Sequence, residues 1–241
     1  MRIDVLGVSF DNFTMDEAVG KALELMEQRS AAYVVTPNPE IVMLCRENPS
    51  LSRAVENAAM VLPDGIGIVK GARILGTPLK QKLPVIDFAQ ELFSHMAIHG
   101  MTLFLLGAKP GVAEKAAANL SARFEGLKIV GTNDGYFEDS APLIEKINSV
   151  SPDLLLVCLG APKQELWMYE NAHLLSVGLM AGLGGSLDVF AGIAERAPES
   201  WRKLGLEWLY RLKEEPSRAK RMTNLPKFGF AVICRRMFRN K

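Results

Sequence analysis

Short apolar runs alternate with helical patterns along most of this chain, and that alternation limits the fold more than any other feature. Ala32–Thr36 (AYVVT), Ala59–Leu62, Thr102–Leu106 (TLFLL), Leu127–Thr132, Leu154–Leu159 (LLLVCL) and Gly178–Leu183 read as strands. Pro39–Glu47, Ile66–Leu75, Ile86–His99, Val112–Phe124, Pro142–Val150 and Gln164–Ala172 read as helices between them, with Glu40 and Asp87 near two starts and Gly100 after one end. The pattern predicts an α/β fold: a Rossmann-like, mostly parallel sheet with helices on both faces. In such sheets ligands bind outside the carboxyl ends of the strands, so the loops there are where chemistry is expected. The alternation stops near Arg196, where helices bearing Trp and Arg begin. This predicts a catalytic α/β domain over residues 1–195 and a helical, basic C-terminal appendage over residues 196–241.

The net charge of +1 hides a strong asymmetry. Residues 196–241 hold 13 Lys and Arg against 4 Asp and Glu, whereas residues 1–195 hold 15 against 23. An anionic partner for the C-terminal part follows: membrane, nucleic acid or phosphate. Cys45, Cys158 and Cys234 are far apart and odd in number, which fits a reducing compartment rather than a disulfide framework. The N-terminus MRIDVLGVSF lacks the long apolar core of a signal peptide. Leu174–Ala194, the least polar long stretch, carries Asp188 and five glycines, which suits a buried strand and turns better than a spanning helix.

Several strand ends carry polar residues. Thr36-Pro37-Asn38-Pro39 is a rigid turn offering a hydroxyl and an amide to substrate hydroxyls, or simply a helix cap. Pro63-Asp64-Gly65 puts a carboxylate at the mouth of the sheet, where a general base would sit, although a turn aspartate has the same signature. In Gly160-Ala161-Pro162-Lys163-Gln164-Glu165, Lys163 can neutralise phosphate and Gln164 can bind a sugar hydroxyl; a solvated loop is the alternative. The loop Gly107-Ala108-Lys109-Pro110-Gly111 could cradle a nucleotide phosphate without matching a dinucleotide or P-loop motif, and Tyr136 could stack on a base or be a loop aromatic. His95, His99 and His173 form no metal-ligand pattern, and neither D-x-D nor G-x-S-x-G occurs. No metal and no cofactor are expected, and the missing G-x-G-x-x-G weakens a nicotinamide-dependent reading.

Near the C-terminus Phe230, Ile233, Cys234, Met237 and Phe238 recur at helical spacing, with Arg235, Arg236 and Arg239 off that stripe. A helix of this kind lies in an anionic membrane interface, or packs on its own core or a second subunit. Nucleic acid is disfavoured because the aromatics keep to one face instead of interleaving with the basic residues.

Taken in order, Thr36-Pro37-Asn38, Pro63-Asp64-Gly65-Ile66-Gly67, Gly131 to Gly135-Tyr136-Phe137, Gly160-x-Pro162-x-Gln164-Glu165, Gly184-Gly185-Ser186-Leu187-Asp188, Arg196-Ala197-Pro198 and Gly205-Leu206-Glu207-Trp208-Leu209-Tyr210-Arg211-Leu212 resemble the WecG/TagA/CpsF glycosyltransferases. The resemblance spans about Val5 to Arg221. It implies an inverting, metal-independent transfer from a UDP-sugar to an undecaprenyl-diphosphate-linked amino sugar, best known as N-acetylmannosamine to N-acetylglucosamine in teichoic acid or surface polysaccharide synthesis. It further implies Asp64 as general base, Thr36, Asn38 and Gln164 in the sugar pocket, and Tyr136 and Asp188 facing the nucleotide. Arg211, Arg218 and Arg221 would meet the acceptor diphosphate. The expected place is the cytoplasmic side of the cell membrane, held peripherally; a homo-oligomer stays open. One departure concerns Gln81-Lys82-Leu83-Pro84-Val85-Ile86-Asp87, where the family usually reads like E-R-V-x-G-x-D. Lys82 keeps the charge without the planar fork, and Val85 replaces glycine, so a different donor such as glucose or a uronic acid is an alternative. A catalytically inactive membrane-bound scaffold is the other.

Overall fold

Six parallel strands form one sheet in the order β4-β3-β8-β7-β5-β6. They are β3 (Ala32–Val35), β4 (Met60–Val61), β5 (Thr102–Gly107), β6 (Lys128–Asn133), β7 (Leu154–Cys158) and β8 (Leu179–Gly182). The computed structural model describes residues 1–214 and 219–238, without the side chains of Arg211, Lys220 and Arg221. A separate antiparallel hairpin, β1 (Arg2–Val5) and β2 (Val8–Asp11), precedes the sheet. It lies against the β4 edge, where the Asp11 carboxylate accepts the Val61 backbone N–H at 2.8 Å and the Arg2 guanidinium at 3.0 Å. A buried carboxylate on the edge strand satisfies a donor that would otherwise be open to another strand.

Every strand of the sheet but β6 is buried along nearly its whole length. Alternate residues feed two cores, as the two-residue period of a strand requires. Val35, Phe104 and Val157 enter one, and Val34, Leu105 and Leu156 enter the other. The first core is covered by α2 (Pro39–Glu47), α3 (Pro49–Glu56), α4 (Ile66–Ile74), α7 (Ala141–Val150) and α8 (Lys163–Asn171). The second is covered by α1 (Met15–Gln28), α5 (Val85–Ile98), α6 (Val112–Arg123) and α9 (Ser186–Phe190). The α/β reading with helices on both faces is therefore correct, and the strand and helix bounds read from sequence agree to within a residue or two. The hairpin, α1, α3 and α9 fall outside the alternation that revealed the rest.

The C-terminal helices are α10 (Glu199–Lys203), α11 (Glu207–Glu214), α12 (Ala219–Met222) and α13 (Asn224–Phe238). Helix α13 packs on α2 and α4. Phe228 and Val232, one turn apart, are 4% and 1% exposed and belong to the first core. They sit over Gly71 of α4, where a Cβ would come within 2.9 Å of the Phe228 ring, so only glycine admits the helix this closely. The stripe read from sequence is a different face: Phe230, Ile233, Met237 and Phe238 are all exposed, and Arg235 and Arg236 are exposed beside them. Helix α13 thus has two apolar faces, one packed on the core and one open. No described helix is long and apolar enough to cross a membrane.

Phe228→Ala should lower unfolding free energy by about 3 kcal/mol, the usual order for emptying a buried phenylalanine site. Urea unfolding followed by circular dichroism measures it. An unchanged midpoint would mean that α13 contributes nothing to the core.

Candidate active site

The chain leaves β3 for α2 on one face of the sheet and leaves β8 for α9 on the other. Adjacent strands whose connections diverge in this way open a crevice at their carboxyl ends. Two side chains pin its floor. The Thr36 hydroxyl donates to the Gly182 carbonyl at 3.1 Å, and the Gln164 amide oxygen accepts the Gly184 N–H at 2.9 Å. Thr36 is 6% and Gln164 2% exposed. Both were read as sugar contacts, and both have polar atoms already engaged in joining β3, β7 and β8.

Asn38 resolves the two readings of its turn toward a cap that also faces the site. Its Oδ1 accepts the Ile41 N–H at 3.1 Å, capping α2, and the residue also lines a cavity of about 150 Å³. Asp64 lines the same cavity at the end of β4, where its N–H donates to the Pro37 carbonyl at 3.4 Å. The opposite wall comes from the C-terminal helices: Glu207, Trp208, Met222 and Leu225. None of these four has a role in the sequence reading, although Glu207 and Trp208 stand in one of its motifs. Lys82 closes the side, and its Nζ lies 3.4 Å from the Arg202 carbonyl.

A second missed feature stands behind the cavity. Both Arg196 Nη groups grip Asp87, at 2.5 and 2.7 Å, which joins the start of the appendage to α5. The Asp87 carboxylate raises the Arg196 pKa most; burial opposes this, and the charges of Glu207 and Asp64 add to the rise. Arg196 is therefore a fixed cation within electrostatic reach of Asp64.

The residues assigned to the nucleotide gather over the other half of the sheet. Gly107 ends β5 at φ 130°, and a Cβ there would overlap the Cys158 carbonyl. Its glycine is thus explained by close strand packing. Lys163 donates to the Gly135 carbonyl at 3.0 Å and lies 4.8 Å from the centre of the Phe137 ring. Tyr136 projects outward, 71% exposed, while its N–H donates to Asp134 at 2.8 Å. Asp188 lies half-buried in α9, and its carbonyl accepts the Ile193 and Ala194 N–H groups. Arg218 lies outside the described residues, as do the side chains of Arg211 and Arg221 in α11 and α12.

Glu165 is the buried charge that sequence gave no role. It is 0% exposed; its Oε1 accepts the Gln164 amide at 2.8 Å, and its Oε2 has no hydrogen-bond partner among the described residues. Burial pushes its carboxyl above the ordinary 4.5, the Gln164 hydrogen bond opposes that, and the charge of Glu40 adds to it. The signal was faint: Gln164, Glu165, Trp167 and Met168 share the buried face of α8, which only the helix period reveals. Burial also pushes the Cys45 and Cys158 thiols up to about 12, so neither supplies a thiolate at neutral pH.

The model of the glycosyl transferase WecG/TagA/CpsF family matches residues 3–241. The chain belongs to this family. As a family member it is a glycosyltransferase. It is 35% identical over 208 residues to an N-acetylglucosaminyldiphosphoundecaprenol N-acetyl-beta-D-mannosaminyltransferase of Bacillus spizizenii, covering 86% of this chain and 81% of that one. It is 32% identical over 234 residues to a protein of the same name from Staphylococcus aureus, covering 96% of this chain and 92% of the relative. The WecG/TagA/CpsF match includes the C-terminal helices, the same helices that wall the Asp64 cavity.

The folded glycosyltransferase holds the Glu165 proton to higher pH than the unfolded chain does. The stability linked to it is complete below the unfolded value and is lost as pH rises through the folded one. Glu165→Gln cannot ionise. The urea midpoint of the wild type should therefore fall relative to that of the variant as pH rises above about 4.5. Parallel pH profiles would contradict a Glu165 carboxyl raised by burial.

Proposed function

We propose that this glycosyltransferase moves a sugar, N-acetylmannosamine in the first instance, from a UDP-sugar to N-acetylglucosamine linked to undecaprenyl diphosphate, with inversion and without an essential metal. The names of its relatives support the acceptor and the sugar. The observation that carries the reading is the position of Asp64, at a strand end inside a cavity whose other wall is the C-terminal helices. A base there meets an acceptor hydroxyl held between the sheet and the membrane-facing part of the chain.

In the proposed step Asp64 takes the proton of the acceptor hydroxyl as its oxygen attacks the anomeric carbon. The bond to the donor diphosphate breaks, and its electron pair leaves on UDP. One base supplies the proton transfer, and positioning of both substrates supplies much of the remaining rate. Negative charge grows on the leaving diphosphate, which N–H groups at strand ends and fixed cations can stabilise. Gly107, Tyr136, Lys163 and Asp188 mark the half of the sheet proposed for the nucleotide. Lys82, the departure from the family pattern, faces the Asp64 cavity, so it bears on the choice of sugar.

Helix α13 is proposed to rest on the cytoplasmic leaflet. Its open face pairs Phe230, Ile233, Met237 and Phe238 with Arg235 and Arg236, the composition that partitions into an anionic interface. Because Phe228 and Val232 are core residues, deleting the helix would also damage the fold. Point changes on the open face are the cleaner probe. Phe230→Glu with Met237→Glu should leave the melting temperature near its original value and abolish pelleting with vesicles containing phosphatidylglycerol. Undiminished pelleting would remove this face from the membrane contact.

Asp64→Asn should fold and still bind UDP by calorimetry, while UDP release with a lipid-linked N-acetylglucosamine acceptor falls by roughly 10²–10⁴-fold, the range for losing a general base. Near-normal turnover would take Asp64 out of that role.

A further inference from the structure

Glu165 is a buried carboxyl that the proposed reaction leaves unused, and it stands one residue from Gln164. Neighbouring residues on a helix normally point apart. In the first turn of α8 both side chains are buried and they meet, with Gln164 Nε2 donating to Glu165 Oε1 at 2.8 Å. On its other side the Gln164 Oε1 accepts the Gly184 N–H at 2.9 Å. These two contacts leave the amide one orientation. A backbone N–H can only donate, so Gly184 must face Oε1, and Nε2 then needs the acceptor that Glu165 supplies. The amide lies against the end of β8, where a Cβ on Gly182 would come within 3.2 Å of Nε2. The carbonyl of that same Gly182 holds the Thr36 hydroxyl. The second hydrogen on Nε2 has no acceptor among the described residues. A carboxyl is a costly acceptor in this place. It is fully buried, its Oε2 is unpartnered among the described residues, and the charge of Glu40, which lines the Asp64 cavity, opposes its ionisation. An apolar side chain of similar size would spare that desolvation but would leave Nε2 without a partner.

We infer that Glu165 is a positioning residue, which locks the Gln164 amide so that Gln164 offers a sugar an N–H and not its carbonyl. The inference rests on the proposed place of Gln164 in the sugar pocket. With Oε1 on Gly184 and one hydrogen on Glu165, the remaining hydrogen of Nε2 is what Gln164 has left for a ligand. Its match on the substrate is an acceptor atom, a hydroxyl or N-acetyl oxygen of the sugar. Glu165 touches no substrate in this arrangement and acts only through Gln164. The same lock joins α8 to the end of β8, beside the Thr36 contact, so the amide is held in place before a sugar arrives. Preorganised donors of this kind are worth more than mobile ones because no reordering accompanies binding.

The test uses the full chain with Glu165→Met, Glu165→Gln, Gln164→Ala and the double variant Gln164→Ala with Glu165→Met, and melting temperature is the folding control. Amide proton–nitrogen NMR reads the Gln164 side-chain NH2 pair, identified by its loss in Gln164→Ala. That pair should exchange slowly with water in the wild type. It should move further than any other side-chain amide in Glu165→Met and stay closer to its wild-type position in Glu165→Gln, whose amide oxygen can still accept. In turnover Glu165→Met should lower kcat/KM about tenfold, the order for one lost contact of this kind, and Glu165→Gln should recover most of that loss. In the Gln164→Ala background Glu165→Met should lower it no further, because a residue that acts through another has nothing left to position. Gln164 signals that do not respond in a folded Glu165→Met would overturn the inference. So would a Glu165→Met loss that is equally large without Gln164. A wild-type Gln164 pair that exchanges as fast as an exposed amide would overturn it without any Glu165 variant having to fold. The proposed reaction fails separately. A wild type whose Gln164 signals follow Glu165, yet which transfers sugar to no lipid-linked acceptor, supports the positioning and contradicts the reaction. Transfer that responds to Gln164→Ala and not to Glu165→Met contradicts the positioning alone.

Discussion

A parallel sheet buried on both faces has polar backbone to offer a ligand only at its ends. Here five of the six strands are almost wholly buried, and their side chains are divided between two apolar cores. Water and substrate can reach the sheet only where strands stop and helices start. Asp64, Asn38, Thr36 and Gln164 stand at or just after such strand ends. The divergence of the β3 and β8 connections then makes the crevice, and the Thr36–Gly182 and Gln164–Gly184 hydrogen bonds hold its floor. The two residues act on this geometry by fixing strand ends, whatever else they meet.

The second constraint is the seat of Phe228 and Val232 on Gly71. It brings α13 against α2 and α4, the helices whose starts carry Pro39, Glu40, Ile66 and Gly67 into the cavity wall. The Arg196–Asp87 pair ties down the other end of the appendage. The appendage is thereby part of the cavity, and its outer apolar face is a separate surface. The proposed membrane contact on that face and the proposed reaction in the cavity would share one helix layer, a physical way to couple arrival at a lipid-linked substrate with its use.

Most of the sheet was legible in the sequence because strands buried on both faces are short and continuously apolar, unlike the helices between them. The N-terminal hairpin was not, since its burial depends on Asp11 reaching Val61, a contact fifty residues away. Helix α1 lies before the alternation begins, although Thr14 and Glu17 form a capping box. For the site, Asp64 and Asn38 were legible from their loops. Trp208, Met222 and Leu225 were not, because a wall built by distant helices leaves no local pattern. Glu165 was visible as a motif residue, but its burial was not. Gly107 has a steric reason to be glycine as well, since a Cβ there would overlap the Cys158 carbonyl.

If Asp64 is the base of a single displacement, the sugar must change its anomeric configuration in one step, because the attacking oxygen enters opposite the departing diphosphate. Proton NMR of the first product formed from an α-linked UDP-sugar reads this directly. A β-linked disaccharide on the lipid diphosphate is the expected product. An α-linked product would contradict it, since retention requires a second displacement or attack from the leaving-group side, neither of which the proposed role of Asp64 provides.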